Sequence, residues 1–459
     1  MDLMENVVRT RKNHIVPINQ PLAGSYSFKE GSSLINFMLP ASPQALLTNT
    51  LKMNFKLRCN QPTSTFQTPV LVNNNTNKSF LGEFQGLLDE RNGVNSIIDT
   101  LTWSSGTTNS TLENIRAYGR LTATTNGFHN SQSDLDGRTQ GENTACASRT
   151  NVSGNMVNCE NFYSIPLKCG LLEGAEDGVI LMGRAGVNGL NLTIQLQNDM
   201  MVFKSNEANA TDIFYSINDV FITYDTLEFT SEITEELNKN DAGEMNYASY
   251  SYIYSVINSS DDQLNLNLGV KSALSIFSTF IATSHLNNVS VNSFSTGNLK
   301  NAVNGVYTDD AILSRVSFIR NGELSPLDYF NDVDTSSKEN TPRPVLIETS
   351  KQALDVENST RTLISPATQN GLLTKTNING DEVSSLNTAV SVETQSNPLV
   401  VLGVNFDNIS NQGRDFSGNN TYGLRTESSI NGNSPNSITT FVRSKNTLMY
   451  DNGAISVMS

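Results

Sequence analysis

Residues 190–197 read Leu-Asn-Leu-Thr-Ile-Gln-Leu-Gln, apolar and polar in strict alternation. Successive side chains of a strand point to opposite faces. A period of two therefore puts Leu190, Leu192, Ile194 and Leu196 in a core and Asn191, Thr193, Gln195 and Gln197 toward water. Residues 213–229 continue the pattern, and residues 399–406 and 437–458 repeat it at the end of the second half. Between residues 50 and 59, Leu51, Met53, Phe55 and Leu57 oppose Lys52, Asn54, Lys56 and Arg58. A chain that closes each half with half-buried strands folds as two sandwich-like units, and the fold class is all-β.

With 459 residues the chain exceeds one ordinary core and fits two domains of about 200 residues each. We divide it into an N-terminal arm (1–24), a first sandwich (25–230), a linker helix (231–246) and a second sandwich (247–459). The linker reads Ser-Glu-Ile-Thr-Glu-Glu-Leu-Asn-Lys over 231–239, with acid in its first turn and base in its last, as the helix dipole favours. Further strands are expected over 25–39, 95–105, 162–168, 179–182, 247–257, 263–270, 274–283 and 313–320. Short helices are expected over 83–91 and 344–354. Ser110 and Glu113 have capping-box spacing, and Leu112, Ile115, Tyr118 and Leu121 recur behind them, which predicts a helix over 111–121. Residues 60–78, 122–160, 369–396 and 410–436 are rich in Asn, Ser, Thr and Gly and read as exposed loops or insertions.

The net charge of −15 argues against a surface that wraps nucleic acid, since such binding needs many neutralised phosphates. The one basic cluster, Arg9, Arg11, Lys12 and His14, reads as a flexible arm able to touch nucleic acid or a neighbouring subunit. No apolar stretch approaches the ~20 residues that cross a bilayer, no signal-peptide pattern opens the chain, and four cysteines fit a reducing compartment.

Catalytic motifs are missing from the sequence: it has no Walker loop, no G-x-S-x-G, no H-E-x-x-H and no dinucleotide fingerprint. His14, His129 and His285 are the only histidines. His129 and Cys146 fall in one polar insertion, where a thiol–imidazole pair lacks a rigid frame. Cys159 and Cys169 lack further zinc ligands nearby and read as buried free thiols. Asp332, Asp334 and Glu339 resemble a calcium loop only loosely, without the turn glycine; they and the pairs Asp261–Asp262 and Asp309–Asp310 read as solvated acidic loops. The reading is therefore no enzyme, with no catalytic, cofactor-binding or metal residues and no cofactor.

In order along the chain come Gly24-Ser-Tyr-Ser-Phe, Gly93-Val-Asn-Ser-Ile-Ile-Asp, Leu112-Glu-Asn-Ile-Arg-Ala-Tyr, Val316-Ser-Phe-Ile-Arg-Asn-Gly-Glu-Leu-Ser-Pro, Thr440-Phe-Val-Arg and Thr447-Leu-Met-Tyr-Asp-Asn-Gly-Ala-Ile-Ser-Val. Together they resemble the double jelly-roll major capsid proteins of polinton-like viruses and virophages. The resemblance implies that the sandwiches at 25–230 and 247–459 are eight-stranded jelly rolls. It also implies that three chains form a pseudo-hexagonal capsomer, and that capsomers tile an icosahedral shell around a DNA genome with penton and minor capsid proteins as partners. It carries over no enzymatic residues, and it places the chain in the virion, assembled inside a host cell. The alternative is a viral spike or lectin-like β-sandwich that binds receptor or glycan through its polar loops, although those loops are poor in the aromatic platforms that glycan sites use.

Overall fold

The computed structural model describes residues 7–22, 24–29, 31–60, 92–106, 108–129, 149–150, 156–157, 160–173, 179–183, 188–202, 214–239, 242–257, 261–283, 286–287, 300–303, 306–311, 315–324, 351–354, 401–406, 413–418, 421–427, 436–451 and 454–458. The first half contains β1 (Val7–Ile15), β2 (Ser25–Tyr26), β3 (Leu34–Leu39), β4 (Ala45–Leu47), β5 (Lys52–Asn60), β6 (Ile98–Ser105), β7 (Thr111–Ile115), β8 (Arg149–Thr150), β9 (Met156–Val157), β10 (Glu160–Pro166), β11 (Val179–Leu181), β12 (Leu190–Leu196) and β13 (Phe214–Phe229). Its main helices are α1 (Tyr118–His129) and the single turn α2 (Gly170–Glu173). After α3 (Ser231–Lys239) come β14 (Ala242–Ile257), β15 (Asp261–Leu266), β16 (Ala273–Ala282), β17 (Lys300–Val303), β18 (Val306–Ala311), β19 (Arg315–Arg320), β20 (Glu323–Leu324), β21 (Val401–Asn405), β22 (Tyr422–Glu427), β23 (Asn436–Asp451) and β24 (Ala454–Met458).

Among the described residues each half has two large sheets and one two-stranded sheet, β8-β9 in the first and β17-β18 in the second. In the first, β10-β5-β13-β4-β11 faces β3-β12-β6-β7. Ile222 and Thr223 pair with both β5 and β1, and Thr226 and Leu227 with both β4 and β1, so β1 runs along the opposite edge of β13 from β5 and β4. The second half repeats the plan with β14-β23-β16-β21, extended by β24, and β15-β22-β19-β20. Period two accounts for these strands: Leu190, Leu192, Ile194 and Leu196 of β12 are buried, as are Met53, Phe55 and Leu57 of β5. Each such side chain contributes about 1.5–3 kcal/mol relative to exposure. The two closing runs of the first half lie in opposite sheets, β12 and β13, whereas β23 and β24 form a hairpin in one sheet.

Several expectations need correction. Residues 7–15 are not a flexible arm but strand β1, because β13 is sixteen residues long and offers an edge that neither β5 nor β4 occupies. The expected helix over 111–121 is strand β7 followed by α1, and the break falls at Ala117, whose φ is +52°. The insertion expected from residue 122 begins later: Thr122, Ala123 and Thr124 lie buried on α1, with the Thr122 hydroxyl bonded to Asn92 Oδ1 at 2.7 Å. The single strand expected over 25–39 is two, β2 and β3, in opposite sheets. The loop expected over 410–436 contains β22, in the interior of a sheet, where Tyr422, Gly423 and Leu424 are buried and Arg425 is exposed. Asp261–Asp262 and Asp309–Asp310 belong to strands β15 and β18 rather than loops. The helix expected over 83–91, and the loops over 61–78 and 369–396, lie outside the described residues. Of the helix over 344–354 only 351–354 is described, and it is helical with Ala353 and Leu354 buried.

Candidate functional site: the seam and the exposed faces

The two jelly rolls share one core. A single buried cluster joins Phe55, Trp103, Tyr118 and Leu171 of the first half to Tyr247, Phe277, Val401, Phe441 and Leu448 of the second. A second cluster, with Ile257, Ile276, Phe318, Leu424 and Val442, fills the second jelly roll itself. Phe277 and Ile276 are neighbours on β16, so this strand contributes to both clusters and is buried on both faces. Phe277 and Phe441 pack tilted at 5.3 Å, and Tyr250 and Tyr252 pack against them at 6.1 and 6.0 Å respectively.

At the centre of the seam lies Glu113, the residue expected to cap its own helix. Its carboxylate instead accepts from the amides of Gly170 (2.9 Å) and Leu171 (2.8 Å), which open α2, and from the hydroxyl of Ser249 on β14 (2.6 Å). The Tyr247 hydroxyl donates to the carbonyl of Leu112 beside it. Burial pushes the Glu113 carboxyl above the usual carboxylate range, against the lowering effect of the hydrogen bonds from Ser249, Leu171, Gly170 and Cys169. Gly170 is obligatory: a Cβ there would collide with the carbonyl of Ala248 on β14. Arg120 of α1 is buried against the same β14 strand; burial pushes its guanidinium down while the nearby Tyr252 and Tyr254 act the other way. The seam is thus packed and hydrogen-bonded, so the jelly rolls are joined as one body rather than tethered.

Away from the seam, the outer face of the first large sheet is exposed. Phe162 of β10 and His14 of β1 flank Phe221, with ring centroids at 6.1 and 4.4 Å, and Phe162 is 53% exposed. Lys56 pairs with Asp219 at 2.6 Å, at the bulge where Asp219 takes φ +49°. Of the basic cluster, Arg11 pairs with Glu228 at 3.1 Å and His14 packs tilted against Phe221, while Arg9, Lys12 and His14 are exposed along β1.

The weighed catalytic and metal candidates are not brought together. His14 lies on β1 and Cys169 is buried beside Glu113. Cys59 is the penultimate residue of β5, opposite Tyr215, and His129 ends α1. Cys146, Cys159, His285, Asp332, Asp334 and Glu339 lie outside the described residues. Among the described residues no three His, Cys, Asp or Glu side chains converge as a metal-ligand set, and no helix is long and apolar enough to cross a membrane. Sequence reasoning missed the seam; a buried Glu in a strand carries no local signal beyond the polar residue interrupting Leu112 and Ile115.

No family model matches the chain, and no curated protein does. Solved structures do. The Sputnik virophage structure determined by cryo-EM superposes with a TM-score of 0.54 at 12% identity, covering 98% of this chain and 88% of that one. The Faustovirus major capsid protein gives 0.54 at 9% identity over 96% and 90%, and the mavirus major capsid protein 0.50 at 9% over 97% and 89%. This chain has the double jelly-roll fold. At such low identity the likeness speaks for the path of the backbone and not for shared side chains. The double jelly roll is thus matched nearly end to end in both directions, with the seam and both sandwiches included.

Proposed function

We propose that this chain is the major capsid protein of a virus, a structural shell protein located in the virion whose mechanism is its shape. Support comes from one observation above others: structures of viral major capsid proteins align over 96–97% of this chain and 89–90% of their own. The shared core fits that role physically, because a shell block must transmit lateral force through both jelly rolls without hinging between them.

In this reading three chains associate, six jelly rolls give a pseudo-hexagonal outline, and the capsomers tile an icosahedral shell around a DNA genome with penton and minor capsid proteins. With net charge −15, contacts to the genome are few and local. Light scattering and electron microscopy of the purified chain test the proposal. Mass equal to three chains, with six-lobed particles or closed shells, supports it. A monomer at micromolar concentration that binds glycan overturns it in favour of a lectin-like protein.

A further inference from the structure

One end of the second jelly roll is closed by an aromatic cluster with two cations on it. Phe318 stacks on Tyr422 at a centroid separation of 5.8 Å, Phe406 and Phe416 meet Tyr422 edge-on at 5.5 and 5.3 Å, and Phe406 and Phe416 lie tilted to each other at 5.1 Å. The Arg320 guanidinium lies over Phe416 at 5.8 Å and that of Arg414 over Phe406 at 5.9 Å. Arg320 is directly opposite Tyr422 in the β19–β22 pairing.

The frame that holds these groups is rigid. Asn321 and Gly322 form the turn between β19 and β20 with φ of +50° and +84°, as a two-residue hairpin of primed type requires. Asn321 is tied to Thr421 through its amide, which donates to the Thr421 carbonyl at 3.0 Å, and through its Oδ1, which accepts from the Thr421 amide at 2.9 Å. Arg414 exchanges both backbone hydrogen bonds with Ala273, at 2.8 and 2.9 Å, and the Phe416 amide donates to the Val270 carbonyl. Gly413, at φ +65°, packs against Ala273 where no side chain fits.

What this frame leaves unused is donor capacity. The Tyr422 side chain is fully buried, yet among the described residues its hydroxyl has no hydrogen-bond partner, and neither has the buried Nε of Arg320. Neither Arg320 nor Arg414 is ion-paired among the described residues. A buried phenol lacking an acceptor is costly, and two unpaired guanidiniums beside it repel each other. Both arginines are only half-buried, and both act electrostatically on the Tyr422 phenol.

We propose that Arg320, Arg414 and the Tyr422 hydroxyl form an oxyanion site at this end of the second jelly roll, taking a carboxylate or phosphate group. Planar guanidinium forks match the two oxygens of such groups, and the phenol supplies a further donor beneath them. Burial holds the phenol protonated, while the two guanidiniums pull its proton affinity the other way. Mouths of closed β-structures are frequent ligand sites because they combine an apolar floor with a few convergent polar groups. The oxyanion is either free phosphate or the carboxylate of an acidic side chain, and 45 Asp and Glu residues make each copy of this chain a source of the second. The site does not depend on the shell function.

The test is thermal unfolding of the full chain in inorganic phosphate, in N-acetylglutamate amide, and in chloride of equal ionic strength. Phosphate also stabilises proteins by exclusion from their surface, so the comparison with variants decides. The expected result is an oxyanion-specific rise of about 2 °C or more in the natural chain, abolished in Arg414→Gln and diminished in Tyr422→Phe. Without oxyanion, Tyr422→Phe matches or exceeds the natural chain, because the unpartnered hydroxyl is gone. Should Arg414→Gln fail to fold, Arg414→Lys keeps the charge but not the fork and shows a diminished rise. A rise with phosphate alone assigns the free ion, and one with the glutamate derivative assigns a side-chain carboxylate. Equal rises in the natural chain and the variants, or none at all, overturn the site.

Discussion

The Ser249 hydroxyl on β14 donates to Oε1 of Glu113 on β7 at 2.6 Å, across the boundary between the two jelly rolls and 136 positions along the chain. Glu113 thereby does three things at once. It terminates the orphan amides of α2, it anchors β14, and it fills the seam between the halves with a fully satisfied polar group. Satisfaction is what makes such a buried carboxyl tolerable, and its loss is costly for the same reason.

Replacing Glu113 by alanine leaves the Gly170 and Leu171 amides and the Ser249 hydroxyl without their acceptor, and the expected loss is about 3 kcal/mol or more. Equilibrium denaturation of the two proteins checks it. The pH dependence carries a second signature. Burial raises the proton affinity of Glu113 in the folded chain above that in the unfolded chain. Its contribution to stability is therefore fully present below the ordinary carboxylate range and is lost as pH rises through the raised native value. Glu113→Gln removes that slope above the ordinary carboxylate range; a profile identical to that of the natural chain would show that Glu113 does not contribute it.

Gly170→Ala is expected to push α2 away from β14, since the added methyl meets the Ala248 carbonyl. The cost is about 1–3 kcal/mol, the usual range for overpacking. Faster hydrogen exchange in both α2 and β14, with the outlying sheet β15-β22-β19 unchanged, is the expected pattern. A change confined to α2 would argue that the halves are less coupled than their common core implies.

Truncation after Lys445 removes the last six of the sixteen residues of β23 and all of β24. β23 pairs with β14 along its whole length, from Ala242 opposite Asp451 to Ile257 opposite Asn436, and Leu448 belongs to the cluster shared by both halves. The shortened chain would expose the edge of β14 and the apolar seam together, and it is expected to aggregate or to lose its native oligomer in sedimentation. Soluble material with the mass of the untruncated assembly would show the tail to be dispensable.

Residue pattern alone determined much of the architecture. β5, β12 and β13 are legible because one face of each meets a core and the other largely does not, and period two records that difference in the sequence itself. The Asn321-Gly322 turn is legible for a similar reason, since positive φ at consecutive positions selects these residues locally. Tertiary structure decided the rest. Ser110 and Glu113 carry the spacing of a helix cap, but a buried strand position and three donors from α2 and β14 outweigh a solvent-exposed local bond worth about 1 kcal/mol. Residues 7–15 show no alternation; they are a strand because β13 has an open edge for them. Arg320, Arg414 and Tyr422 are scattered over a hundred positions, and only the pairing of β19 with β22 and the bridge from Arg414 to Ala273 bring them together. Local periodicity reports which face a residue shows to the core, whereas the identity of its partner across that core is fixed only when distant segments of the chain meet.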